Sequence, residues 1–246
     1  MMVVACVKPT RLGEPRLERG RALAEGSWGL APGERRALAA ARVAAGPAGQ
    51  VIALAAGPAD AAGALREALA LGAARGVLVE HEGALEALPT ARALAAAIAK
   101  LGAPPVAVVA ERSADAQQGL VGPLLAELLD RPFLGGVERL RVDGEALEAT
   151  SAGARSRARP PLVLAAGERF APAPHATSWG VGAAFEAPLD RWTLAELGVA
   201  APTEDVQVLS AARAGAERRD TERFEGDPDE AAAQLARRWR AAGVAP

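Results

Sequence analysis

The run PVAVVAERSADAQQGLVGPLLAELL, residues 105–129, changes character twice. Residues 105–110 are apolar, uncharged and of strand length, 111–121 are polar and punctuated by Gly119, and 122–129 read as a helix with Leu125 and Leu129 four apart. A strand that feeds a helix through a polar loop is the repeating unit of α/β sheets. In such sheets the connection at the carboxyl end of a strand is the place where ligands sit. A glycine-punctuated loop there can turn successive backbone N–H groups toward a phosphate, and the start of the following helix adds the positive end of its dipole.

The same alternation runs outward in both directions. Residues 2–7 form a first apolar strand, and an Arg-, Gly- and Pro-containing stretch, read as a long loop, leads to Ala31. Pro32 suits the first position of a helix over 34–45, which Gly46-Pro47 ends, and 50–56 is a second buried strand. A helix over 60–71 places Leu65, Ala68 and Leu69 together and Gly72 at its left-handed cap; strand 76–79, helix 89–101 and strand 105–110 follow. Beyond the opening run, 137–142 and 146–151 flank Asp143-Gly144 as an antiparallel hairpin, which makes the sheet mixed there, and 161–166 is a further strand. Residues 167–190 show no periodicity and read as a functional or mobile loop. A short element at 192–197, a run at 206–209 and a polar linker over 213–225 precede a closing helix at 228–242. Asp227 caps that helix, Pro228 fits its first turn, and Ala231, Leu235 and Trp239 lie on one face. Whether that face covers its own domain or another subunit is open from the pattern. The expected fold is therefore a doubly wound, mostly parallel α/β sheet with helices on both faces, an antiparallel hairpin and a C-terminal helical arm. Its domains are 1–212 and 213–246.

Composition removes several classes. The 246 residues carry 28 Lys and Arg against 30 Asp and Glu, a net charge of −2, so the basic field of a nucleic-acid binder is missing. One cysteine, Cys6, excludes an intramolecular disulfide framework and cysteine-rich metal centres. No signal peptide and no 18-residue apolar run is visible, so the expectation is a cytoplasmic protein without membrane insertion. Four Trp, four Phe and no Tyr leave the core to Ala, Val and Leu.

Nucleophile elbows, zinc-binding His-Glu-x-x-His, phosphate loops ending in Gly-Lys-Ser/Thr and Gly-x-Gly-x-x-Gly are absent. His81 and His175 stand in no metal-ligand spacing and are assigned no chemistry. In a doubly wound sheet, Cys6 after strand one, Ala31 to Glu34 at a helix start, and Ala56-Gly57-Pro58 after the second strand would converge on the same edge as the 111–123 loop. Small residues there let a ligand come close; they also punctuate strand ends where nothing binds. Trp179, between Ser178 and Gly180, either anchors a partner or folds back under its own loop.

These residues resemble the beta subunit of electron transfer flavoproteins over nearly the whole chain. Val4-Ala5-Cys6-Val7-Lys8 is similar to the family's opening strand, and Gly57-Pro58 with Ala64-Leu65-Arg66-Glu67-Ala68-Leu69-Ala70-Leu71-Gly72-Ala73 to its most recognisable helix. Gly119 with Val121-Gly122-Pro123-Leu124-Leu125-Ala126-Glu127-Leu128-Leu129 resembles its nucleotide loop and the helix behind it. Trp192-Thr193-Leu194-Ala195-Glu196-Leu197-Gly198-Val199 and the closing segment agree in order and spacing.

The resemblance implies a non-enzymatic electron-carrier subunit in a heterodimer with an alpha subunit, FAD held mainly on alpha, and AMP buried in beta. AMP would be held by Cys6, by Ala31, Pro32, Gly33 and Glu34, by Ala56, and by Asp115, Ala116, Gln117, Gln118, Gly119, Leu120 and Val121, mostly through main-chain groups. The closing helix would clasp alpha. Residues 174–182 align with a recognition loop that docks flavin-containing dehydrogenases, its anchor falling on Trp179, and electrons would pass on to a membrane-bound electron transfer flavoprotein–quinone oxidoreductase. The chain departs from the family where Ala31-Pro32-Gly33 replaces Asn-Pro-aromatic, Glu111-Arg112 replaces Lys-Gln, Leu120 replaces Gln, and Ala183-Ala184-Phe185-Glu186 replaces a lysine-rich run. Two alternatives stand beside this reading: a bifurcating type with a second FAD in the nucleotide site, and a nucleotide-hydrolysing α/β enzyme.

Overall fold

In the computed structural model, strands and helices alternate as the buried runs of the sequence dictate. It describes residues 1–13, 16–18, 21–23, 25–83, 85–171, 175–200 and 222–244. In chain order the strands are β1 (Met2–Cys6), β2 (Pro9–Arg11), β3 (Arg16–Glu18), β4 (Arg21–Leu23), β5 (Trp28–Leu30), β6 (Gln50–Gly57), β7 (Arg75–Glu80), β8 (Val106–Ala110), β9 (Phe133–Val137), β10 (Arg139–Asp143), β11 (Ala146–Ser151), β12 (Ala154–Ala158), β13 (Leu162–Ala166) and β14 (Leu189–Thr193). The helices are α1 (Pro32–Ala45), α2 (Ala62–Ala70), α3 (Ala87–Lys100), α4 (Val121–Leu128), α5 (Ser178–Glu186) and α6 (Pro228–Ala241). The chain divides into two compact units, Met1–Ser210 and Ala211–Pro246.

Seven strands of the first unit form one sheet in the order β14-β7-β6-β1-β8-β13-β9, and every neighbouring pair in it is parallel. Alternate side chains of the same strands feed two cores. Val3, Ala5, Val51, Ala53 and Val108 pack with Leu38 and Ala41 of α1 and Leu65 of α2; Val4, Ile52, Leu54, Val77 and Val109 pack with Leu94 and Ile98 of α3 and Leu125 of α4. Burial on both faces is why these strands read as unbroken apolar runs.

The doubly wound class stands, with changes of detail. The antiparallel hairpin does not make the main sheet mixed: β10, β11 and β12 form a sheet of their own, with Leu147 and Ala149 turned into the core under α1. The stretch before Ala31 is not one loop but carries two short antiparallel pairs, β2 with β5 and β3 with β4. Within 167–190, residues 178–186 are helical: the Thr177 side chain accepts from the Gly180 amide at 3.0 Å and starts α5. Arg66 of α2 fixes the other end of α5 by donating to the carbonyls of Ala184, at 2.6 Å, and Ala187. The run at 206–209 and most of the polar linker lie outside the described residues. In the second unit, Asp227 accepts from the amides of Asp229 and Glu230 at 2.9 and 3.2 Å, so the α6 cap is the one the sequence specifies.

Candidate functional site

From β1 the chain first builds sideways through β6 and β7, then returns through α3 to place β8 on the other side of β1. The two neighbours therefore send their connections in opposite directions, and a crevice opens at their carboxyl ends. A cavity of about 830 Å3 fills that place. Its apolar wall comes from the carboxyl ends of strands: Cys6 at the end of β1 with Val7 beyond it, Ala56 and Gly57 at the end of β6, and Val109 and Ala110 at the end of β8. Its polar wall comes from Lys8, Arg11, Glu34 and the loop that leads into α4.

That loop is shaped by two left-handed residues, Gln117 at φ 51° and Gly119 at φ 68°. The Gln117 amide closes a turn on the Ser113 carbonyl at 3.2 Å, and the Asp115 carboxylate accepts from the Ala116 amide and the Lys8 ammonium, each at 2.7 Å. The amides of Gln118, Gly119, Leu120 and Val121 donate to no group among the described residues, and Leu120 offers no side-chain cap. Four open N–H groups at the entry of α4 are a donor set suited to an anion. Glycine at 119 keeps the turn tight: a Cβ there would lie 3.1 Å from the Glu111 carbonyl oxygen.

Glu34 is the buried charged residue of the described chain, 3% exposed, in the first turn of α1. Its Oε2 accepts from the Lys8 amide at 3.2 Å. Burial pushes its carboxyl up to about 8; the Lys8 amide and ammonium pull it down only in part, and Asp115 adds to the rise. Burial acts to raise the Asp115 carboxyl as well, but hydrogen bonds from Lys8, Ala116 and Ser113 and the Lys8 charge overcome it and hold the group down at about 2. Burial first and Glu34 second push the Cys6 thiol up to about 12, so Cys6 is an inert part of the wall.

Of the residues singled out from the sequence, Cys6, Glu34, Ala56, Asp115, Ala116, Gln118, Gly119, Leu120 and Val121 meet on this cavity. Ala31, Pro32, Gly33 and Gln117 do not line it. Ala31 is buried as the cap of α1, Pro32 and Gln117 are exposed, and Gly33 sits against the backbone of Arg112, where a Cβ would come within 3.2 Å of the carbonyl oxygen. The wall also holds residues to which the sequence assigns no part in binding: Lys8, Arg11 and Trp28, with the Arg11 guanidinium 4.2 Å above the Trp28 ring, and His81, whose amide donates to the Gly57 carbonyl at 3.1 Å. His175 is exposed. Trp179 stands in the first turn of α5, 87% exposed, with Val181 and Phe185 also exposed on that helix.

Sequence comparison gives this architecture a family. The electron transfer flavoprotein domain matches residues 22–197, which takes in α1 through β14 and the whole loop before α4. The chain belongs to the electron transfer flavoprotein domain family. It is 33% identical over 155 residues to the electron transfer flavoprotein subunit beta of Clostridium acetobutylicum, covering 60% of each chain. It is 32% identical over 105 residues to the subunit of the same name from Bradyrhizobium diazoefficiens, covering 43% of this chain and 42% of that one. The matched lengths thus stay below two thirds of these electron transfer flavoprotein relatives. Among the described residues no helix is long and apolar enough to cross a membrane.

Proposed function

We propose that the chain serves as the beta subunit of an electron transfer flavoprotein, pairing with an alpha subunit and holding AMP in the crevice between β1 and β8. The observation that carries this reading is the crevice itself: an apolar wall of strand ends facing four open amides at the start of α4. These residues fit an adenylate. Cys6, Ala56 and Val109 offer small apolar surface to a purine ring, and the amides of 118–121 suit a phosphate. Buried without a ligand or water, each open amide would cost about 1–3 kcal/mol, which a bound phosphate removes.

FAD, held mainly by the alpha subunit, supplies the electron-carrying chemistry; this chain is not itself an enzyme on this reading. Its own residues shape and wall the shared site. Trp179, exposed at the start of α5, anchors a flavin-containing dehydrogenase, since an aromatic ring can dominate a transient interface. The stripe of Ala231, Leu235 and Trp239 on α6 grips alpha. Electrons pass from the dehydrogenase through the heterodimer to the quinone oxidoreductase at the membrane, and the complex works in the cytoplasm.

A second reading puts another FAD in the crevice. The cavity of about 830 Å3 favours keeping it, because that volume lies toward the upper end of the range of about 300–1,000 Å3 for small-molecule sites and has room for a dinucleotide. Co-expression with the alpha subunit and quantitation of released nucleotides decides between them. One FAD and one AMP per heterodimer supports the first reading, and two FAD without AMP supports the second. Recovery of this chain from that co-expression without alpha and without flavin refutes both.

A further inference from the structure

The polar wall of the crevice contains a carboxyl group that no ion pair explains. Glu34 is 97% removed from solvent by its 3% exposure, it lines the cavity, and its one described hydrogen bond is the Lys8 amide at 3.2 Å. The Lys8 ammonium, whose charge reaches Glu34, makes its ion pair with Asp115 at 2.6 Å. Arg35, the next residue of α1, is held by Glu67 at 2.6 Å. Of the other groups facing Glu34, the Cys6 thiol is neutral and Asp115 is negative. An ionised Glu34 therefore adds an unpaired negative charge to the wall that must receive a phosphate, in a low-dielectric place where like charges repel strongly.

We infer that Glu34 is the specificity group of the crevice: its protonated carboxyl admits an anionic nucleotide and donates a hydrogen bond to it, and its carboxylate excludes the same ligand. The inference rests on the reading that the crevice binds a nucleotide, and adds that binding takes up a proton. No covalent step is involved; the proton comes from solvent and returns there on release. With the carboxyl half-ionised near pH 8 in the ligand-free chain, AMP binding at pH 8 takes up about half a proton per molecule, rising toward one at pH 9.5. The same linkage weakens AMP binding about 25-fold between pH 7.5 and 9.5. That window lies above the second ionisation of a phosphate monoester, near pH 6, so the ligand's own titration is complete.

The test is calorimetric titration of the full chain with AMP at pH 7.5, 8 and 9.5 in buffers of different ionisation enthalpy, which reads proton uptake without any variant. Glu34→Gln, which keeps a donor and an acceptor but cannot ionise, should bind AMP with no pH dependence between pH 7.5 and 9.5 and with no proton uptake. His81→Gln, changing another titratable residue of the wall, should leave the 25-fold fall intact. AMP binding with no proton uptake, or a Glu34→Gln chain that keeps the fall, overturns the role of Glu34 and leaves the nucleotide reading standing. No AMP binding at any of the three pH values overturns both.

Discussion

Gly119→Ala perturbs the loop ahead of α4 and nothing in either core. At φ 68° the residue occupies the left-handed region, which costs an alanine about 1–2 kcal/mol relative to glycine. The added Cβ would also stand 3.1 Å from the Glu111 carbonyl oxygen. That oxygen has little room to retreat, because the Glu111 amide is tied to the Ala166 carbonyl of β13 at 3.0 Å. The strain therefore falls on residues 118–121, whose amides are the proposed phosphate donors. Urea unfolding of the ligand-free chain should show a loss of about 1–2 kcal/mol. With AMP at a hundredfold excess over its dissociation constant the parent chain gains about 2.7 kcal/mol. The variant should gain about 1 kcal/mol less at the same AMP concentration, the worth of one misdirected hydrogen bond. Gly46→Ala is the control: its φ of 74° is also positive but a Cβ there meets nothing, so stability should fall while the AMP increment is kept. An unchanged AMP increment in Gly119→Ala would refute the assignment of these amides to a ligand.

Three further outcomes follow from the packing and the charges. Leu65→Ala, at a fully buried position of α2, should cost about 2–5 kcal/mol in denaturant unfolding, and a loss under 1 kcal/mol would contradict the first core. Because burial raises Glu34 from 4.5 to about 8, its favourable contribution is complete below pH 4.5 and lost as pH climbs through 8. The ligand-free chain should thus lose a few kcal/mol between pH 5 and 9 that Glu34→Gln retains, and parallel stability curves would exclude the effect. Trp179→Ala should change the unfolding free energy by no more than about 0.5 kcal/mol, as is typical of surface changes, and slow reduction by the proposed dehydrogenase partner with FAD content unaltered; equal reduction rates would remove Trp179 from the proposed docking surface.

The parallel sheet was legible because its strands are buried on both faces, so runs such as Val3 to Val7 and Val106 to Val109 stand out as uninterrupted apolar residues. The short pairs before Ala31 were not, since three-residue strands carry too little alternation to register among Arg, Gly and Pro. Helix α5 was hidden by Gly180 and Gly182, which weaken the helical pattern. Thr177, three residues before the amide it caps, was the available signal. At the site, the strand-loop-helix order exposed the 111–121 loop, whereas the part of Lys8 was unreadable. Its partner Asp115 is 107 residues away, and only the adjacency of β1 and β8 brings them together. Glu34 stands at a helix start, where an acidic residue ordinarily faces solvent and complements the dipole. Its burial comes from tertiary packing that local sequence does not encode.

The central claim is that the crevice between β1 and β8 holds an adenylate as a fixed part of a two-chain flavoprotein. Its most direct test is the nucleotide content of the purified complex with the alpha subunit, released by denaturation and quantified chromatographically. The account predicts one AMP and one FAD per heterodimer, with the AMP held more weakly in Gly119→Ala. A heterodimer that carries its FAD but no adenine nucleotide in the crevice would contradict it.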